Sequence, residues 1–303
     1  TTGARNTAIG SNALANATTA IYNTAQGYYA LSAVTIGQQN TAIGYAAGLS
    51  VTTGSNNTFL GRGAGESNIT GTNNVAIGSQ AFTSSGANVG GTYNVYVGSL
   101  AGYSNKGGSL NVSVGGSSLY NITTGSSNCA FGDNSLYSLT SGGYNVCIGA
   151  GSGLSITTGA TNTAVGFYSL YNAQVTTNNT ALGAYALQSN TTGDNNTAVG
   201  GSALQANNTG YSNTAVGDSA LASLTSGYQC VSVGRASLAQ ATTGFRNTAI
   251  GYNAGANLTT GTNNAFLGYN SGTDALVNVT TASNVVVLGN TSTATLYCKT
   301  STI

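Results

Sequence analysis

Hydrophobic and polar residues alternate along this chain in short bursts. Thr7-Ala8-Ile9, Thr41-Ala42-Ile43 and Val75-Ala76-Ile77 are each preceded by Asn and followed by Gly. Alternation with period two predicts a strand, and no stretch sustains the three-and-four apolar spacing of a helix. The closing glycines recur at Gly10, Gly27, Gly44, Gly61, Gly78, Gly98, Gly115, Gly132, Gly149, Gly166, Gly183, Gly200, Gly217, Gly234, Gly251, Gly268 and Gly289. Fourteen of the sixteen intervals are 17 residues; Gly78 to Gly98 is 20 and Gly268 to Gly289 is 21. A strand that returns at a fixed interval stacks most simply on its own copy, parallel and in register. The pattern therefore predicts an all-β fold, a parallel β-solenoid of 17-residue coils over 1–277, with an insertion near 83–90. Residues 278–303 read as an irregular last coil and connector. At about 4.8 Å per stacked strand, seventeen coils make a rod on the order of 80 Å long.

Positions counted from each anchor glycine carry consistent side chains. The residue before it is Ile, Val, Leu or Phe except at Gln26, and three before it stands Thr, Val, Cys or Ala. Between them lies a mostly small residue such as Ala8, Ala25 or Ala42. The expectation is that the large residues, the Ile9, Ile43 and Ile77 series, point into the core together with the Thr column, leaving the Ala column outward. Four before the anchor is Asn6, Asn23, Asn40, Asn57, Asn74, Asn94, Asn111 and onward to Asn264, replaced once in that run by Cys230. This column reads as a turn residue bonded to local backbone and to its copies above and below. Ala or Ser follows three after the anchor and Leu, Gly or Phe82 four after it; a Thr-Thr-Gly turn such as Thr52-Thr53-Gly54 closes the coil.

Composition narrows the function. The 303 residues include no His, Pro, Met or Trp, and six Lys and Arg stand against five Asp and Glu. So few general acids, bases and metal ligands argue against an enzyme, a cofactor or a metal site. A net charge of +1 gives no footprint for nucleic acid, and no apolar run is long enough to insert in a membrane. The absence of Pro fits a ladder that needs every N–H. The start at Thr1 reads as a piece of a longer product.

Val75-Ala76-Ile77-Gly78-Ser79-Gln80-Ala81 resembles the repeat of YadA-like trimeric adhesin heads. The longer unit, as in Thr243-Gly244-Phe245-Arg246-Asn247-Thr248-Ala249-Ile250-Gly251, is similar to arrays in phage and virus tail-fibre proteins. Those fibres usually end in an S74-type intramolecular chaperone, and the segment from Asn284 to Ile303 resembles the connector before it. The resemblance implies a homotrimer, intertwined or side by side, on a virion or cell surface. The implied role is the shaft or adhesive segment of a tail fibre, with a host glycan or protein as receptor. A bacterial surface adhesin is the alternative, and an ice-binding solenoid a more remote one. From the residues alone, the Ala column and the Leu or Gly column are the apolar surfaces that favour assembly.

The remaining constellations are sparse. Cys129 and Cys147 fall in neighbouring columns and should face opposite ways, which disfavours a disulfide; Cys230 and Cys298 have no paired spacing. Sequons at Asn16, Asn68, Asn121, Asn190 and Asn257 are expected by chance in so Asn- and Thr-rich a chain. Asp133, Asp194, Asp218, Asp274 and Glu66 are scattered over different coils. The 18 Tyr read as edge-shielding residues or as amphipathic platforms for a receptor. The insertion followed by Tyr93, Tyr96, Tyr103 and Lys106 is the candidate receptor contact.

Overall fold

The computed structural model describes residues 3–84, 90–274 and 277–293. Among them are seventeen three-residue strands, from β1 (Thr7–Ile9) to β17 (Val286–Leu288), and no helix. The chain divides into two compact units, Thr1–Asn179 and Thr180–Ile303. In the first, β1 to β10 (Thr163–Val165) stack parallel on their sequence neighbours, with Thr7 opposite Thr24 and Ala8 opposite Ala25. In the second, β11 (Thr180–Leu182) to β17 do the same. Each unit is thus a parallel β-solenoid. Neither irregular interval shifts the register: Val75 pairs with Val95, and Ala265 with Val286. The extra residues leave the ladder untouched, and strand pairing continues past 277.

Tight stacking explains the anchor glycine. Gly27 has φ 135°, and a Cβ there would lie 2.3 Å from the Gly44 carbonyl oxygen of the next coil. No larger residue fits that approach. Left-handed backbone also recurs two and four after the anchor and five before it. Leu14 (φ 53°), Tyr29 (φ 58°) and Asn56 (φ 59°) are examples. Among the described residues no Val or Ile occupies these turns, and Thr161 is the one β-branched residue there, because a β-branched side chain is heavily penalised at positive φ. Val and Ile are thereby confined mainly to strands and to the corner seven after the anchor.

The inward face is the reverse of the sequence expectation. Ala8 lies on the open first coil, but Ala25, Ala42, Ala76, Ala164 and their equivalents are fully buried, as are Leu31, Leu119, Leu136 and Leu170 four after the anchor. Ile9, Ile43 and Leu60 are 57, 36 and 44% exposed, and the Thr column flanks them on the outside. The coil is too thin for two large residues to meet: the middle strand residue faces the residue four after the anchor, so one must be small. Phe59 shows the rule. It is fully buried between Gly48 and Gly65, where added Cβ atoms would meet its ring at 2.9 and 2.4 Å. Phe266 lies likewise between Gly255 and Gly272, and Tyr96 against Gly102. Around Phe59 and Phe266 the core volume is kept because one aromatic ring fills the space that two glycines leave in place of Leu.

The Asn column closes the polar ledger. Asn40 donates both its backbone N–H and its Nδ2 to Asn23 Oδ1, at 2.9 and 3.1 Å, and Nδ2 also donates to the Gly54 carbonyl at 2.9 Å. The same three bonds recur at Asn57, Asn94, Asn111 and Asn128, all buried. Cys230 keeps the backbone bond to Asn213 Oδ1 at 3.0 Å but offers only a thiol to its neighbours. A thiol is a weak donor and acceptor. Replacing it, Cys230→Asn, restores a rung, and the expected gain is about 1–2 kcal/mol in a denaturant titration. A loss of stability would show that this coil has adapted its spacing to sulfur.

Candidate interaction surface

Because the middle residue points inward, each strand presents its first and third side chains to the outside. From Val75 to Ile148 these are all apolar: Val75 and Ile77, Val95 and Val97, Val112 and Val114, Cys129 and Phe131, Val146 and Ile148. On either side of that block in the first unit, Thr replaces the first of each pair, as at Thr41, Thr58 and Thr163. The Thr column is therefore a surface feature, although Val and Cys interrupt it. The face of this unit's ten three-residue strands measures roughly 10 Å by 48 Å, about 480 Å² before its corrugation is counted, and the wholly apolar block takes up about half of it. A monomer's largest apolar patch is about 300–600 Å² and commonly functional.

A more polar column borders the stripe. In the second unit, just after the anchors, Asp218 pairs with Arg235 at 3.8 Å and Arg235 Nη1 donates to the Tyr252 hydroxyl at 3.1 Å. Tyr252 then stacks on Tyr269 with ring centroids 5.4 Å apart. In the first unit the same column carries Tyr28 stacked on Tyr45.

The candidate receptor cluster does not converge. Tyr96 is the middle residue of its strand and fully buried, its hydroxyl accepting from Asn105 Nδ2 at 2.8 Å. It is core and touches no partner. Tyr93 is 60% exposed in the turn before that strand. Tyr103 and Lys106 lie past the buried corner on the far side of the coil, and residues 85–89 of the insertion fall outside the described residues. Tyr103 belongs instead to a ladder: it stacks on Tyr120 and Tyr120 on Tyr137, with centroids 5.0 and 5.1 Å apart and planes within 9°. Tyr211, Tyr228 and Phe245 form a second ladder. Sequence reading passed over Tyr120 and Tyr137, whose 17-residue spacing from Tyr103 was the available signal.

Cys129 points outward and is half-buried, whereas Cys147 and Cys230 are buried and all three are free thiols; Cys298 lies outside the described residues. Of the sequons, Asn68 and Asn190 are buried with Nδ2 bonded to the Gly71 and Gly193 carbonyls, so neither side chain is presented for modification. Acidic groups have local partners: Asp133 accepts from Gly116 N at 2.7 Å, and Asp274 from Thr291 N at 2.8 Å. Among the described residues no three His, Cys, Asp or Glu side chains gather as a metal site.

Burial pushes the Cys147 thiol and the Tyr96 phenol well above their ordinary values. The unfolded chain ionises these groups while the folded one holds them neutral. The stability they contribute is therefore full below the ordinary thiol and phenol values and is lost as pH rises beyond them. Thermal midpoints should hold through neutrality and fall above about pH 9, by about 1.4 kcal/mol per pH unit for each group. Tyr96→Phe together with Cys147→Ala should flatten that limb; an unchanged slope would place the alkaline sensitivity elsewhere.

No family model matches the chain, and no curated protein matches it either.

Proposed function

We propose that this chain is a structural, non-enzymatic segment of a homotrimeric fibre of the phage or virus tail-fibre type, which holds a receptor-binding part away from the particle or contributes to it. The observation that carries the reading is the outward apolar stripe on the strands, continuous from Val75 to Ile148. Such a face costs solubility unless something covers it. Its ridges repeat every ~4.8 Å, and the surface best matched to that corrugation is another stack of the same pitch. A second copy of the chain meets this condition at every coil. The face supplies the reason for association, and the resemblance to fibre repeats supplies the number three.

Light scattering on the purified chain tests this. The expected mass is three times the chain's 29.8 kDa, persisting on dilution. A stable monomer would overturn the proposal.

A further inference from the structure

The Tyr103, Tyr120 and Tyr137 ladder stands on the side of the coil away from the strands. The residue before each ladder Tyr is buried, as Leu119 and Leu136 show, and these face the strand interior across the core. In an assembly mated through the strand faces, which is the reading this inference rests on, the ladder stays on the outside. Ser104, Asn121 and Ser138 follow the three tyrosines, and all six side chains are partly exposed. Among the described residues none of the three phenol hydroxyls, and none of the three neighbouring side chains, engages in a hydrogen bond, whereas the Thr123 and Thr140 hydroxyls nearby are spent on the carbonyls of the next coil.

Stacked planes cover one another's faces, so the ladder offers ring edges and hydroxyls and few faces for a sugar to stack on. What it presents is a double row of neutral donors and acceptors repeating every 5.0–5.1 Å. A ligand that uses several rungs must repeat at that step. An extended peptide does not, since side chains on one of its faces recur about every 6.6 Å. A polyanion finds only Lys106 beside the row. An extended β-linked polysaccharide advances about 5 Å per sugar, close to the strand spacing, and although successive sugars of a 1,4-linked chain are turned over, every unit puts neutral polar groups along both edges. We propose that this ladder is a docking rail for such a polysaccharide, laid along the stacking direction with one sugar per coil. Each rung adds a weak contact, and affinity comes from engaging several at once.

Retention on microcrystalline cellulose and on chitin, with granular starch as the comparison, tests the rail. Starch has the same hydroxyl chemistry, but its α-linked chain coils and loses the step. The expected result is retention on at least one β-linked polymer and none on starch. Retention should weaken several-fold in Tyr120→Phe, which keeps the stack and removes one hydroxyl, and at least tenfold in the triple variant Tyr103→Ala, Tyr120→Ala, Tyr137→Ala. Retention on neither β-linked polymer, equal retention on starch, or an unchanged triple variant would each overturn the rail. Light scattering on the same samples separates the readings: a trimer that ignores both polymers sinks the rail and leaves the fibre standing, whereas a monomer sinks the fibre.

Discussion

Placing aspartates on the outward strand face, Val112→Asp with Val114→Asp, is expected to convert the proposed trimer into folded monomers. Both residues point away from the core, so the coil should lose little of its own stability. At a mated interface, each chain would bury two carboxylates against apolar neighbours and against the copies of those carboxylates. Leaving charges unpaired in such a place costs several kcal/mol per ion, which exceeds what a contact of this size can spare. The mass should fall from three chains to one. Cys129 is the internal reporter, since it lies on the same face and pairs with Val112 and Val146. In a Cys298→Ser background its thiol should be protected from alkylation in the trimer and react readily in the double variant. Cys147, buried in the coil, should stay unlabelled in both. Labelling of Cys147 would reveal unfolding, and a trimer that survives the two aspartates would mean that the copies meet elsewhere.

The second large effect concerns the interior. Phe59→Ala should cost about 3–5 kcal/mol, because the ring fills the space above and below it and the coil cannot collapse. Gly65→Leu with Phe59 retained should be at least as damaging, since a Cβ there already lies 2.4 Å from the ring. The backbone itself is no obstacle: Gly65 has φ 63°, and Leu residues at the equivalent position sit at 49–53°. The triple variant Phe59→Ala, Gly48→Leu, Gly65→Leu should therefore recover most of the loss, giving a coupling of several kcal/mol among residues in contact. Urea midpoints of the single and triple variants measure it. Simple additivity would show that aromatic coils and Leu coils are not interchangeable solutions to one volume.

Comparing the coils shows where sequence reading succeeds. The 17-residue return of the strand, its parallel stacking and the two irregular intervals all follow from spacing, because in-register pairing needs only that the same pattern come back. The Asn column was legible for the same reason: a carboxamide repeated at one height can bond its copies. Which strand face is buried was not. Alternation separates Ala25 from Thr24 and Gln26 without saying which side meets the core, and the larger side chains are the natural guess. The clue lay in pairs twelve coils apart, Phe59 with Gly65 and Phe266 with Gly272, where a large middle residue accompanies the loss of Leu four after the anchor.

The sequence by itself determined the period, the strands and the turns, because these are local or repeat at fixed separation. Only the tertiary structure decided what lies inside. The distance across a 17-residue coil admits one large side chain per level, and the left-handed corner holds it as Leu31 or Leu136. The strand must then turn Ala inward and carry Ile and Val outside. The same limit places Tyr96 in the core and leaves Tyr103, Tyr120 and Tyr137, whose residues stand just past that corner, stacked on the surface.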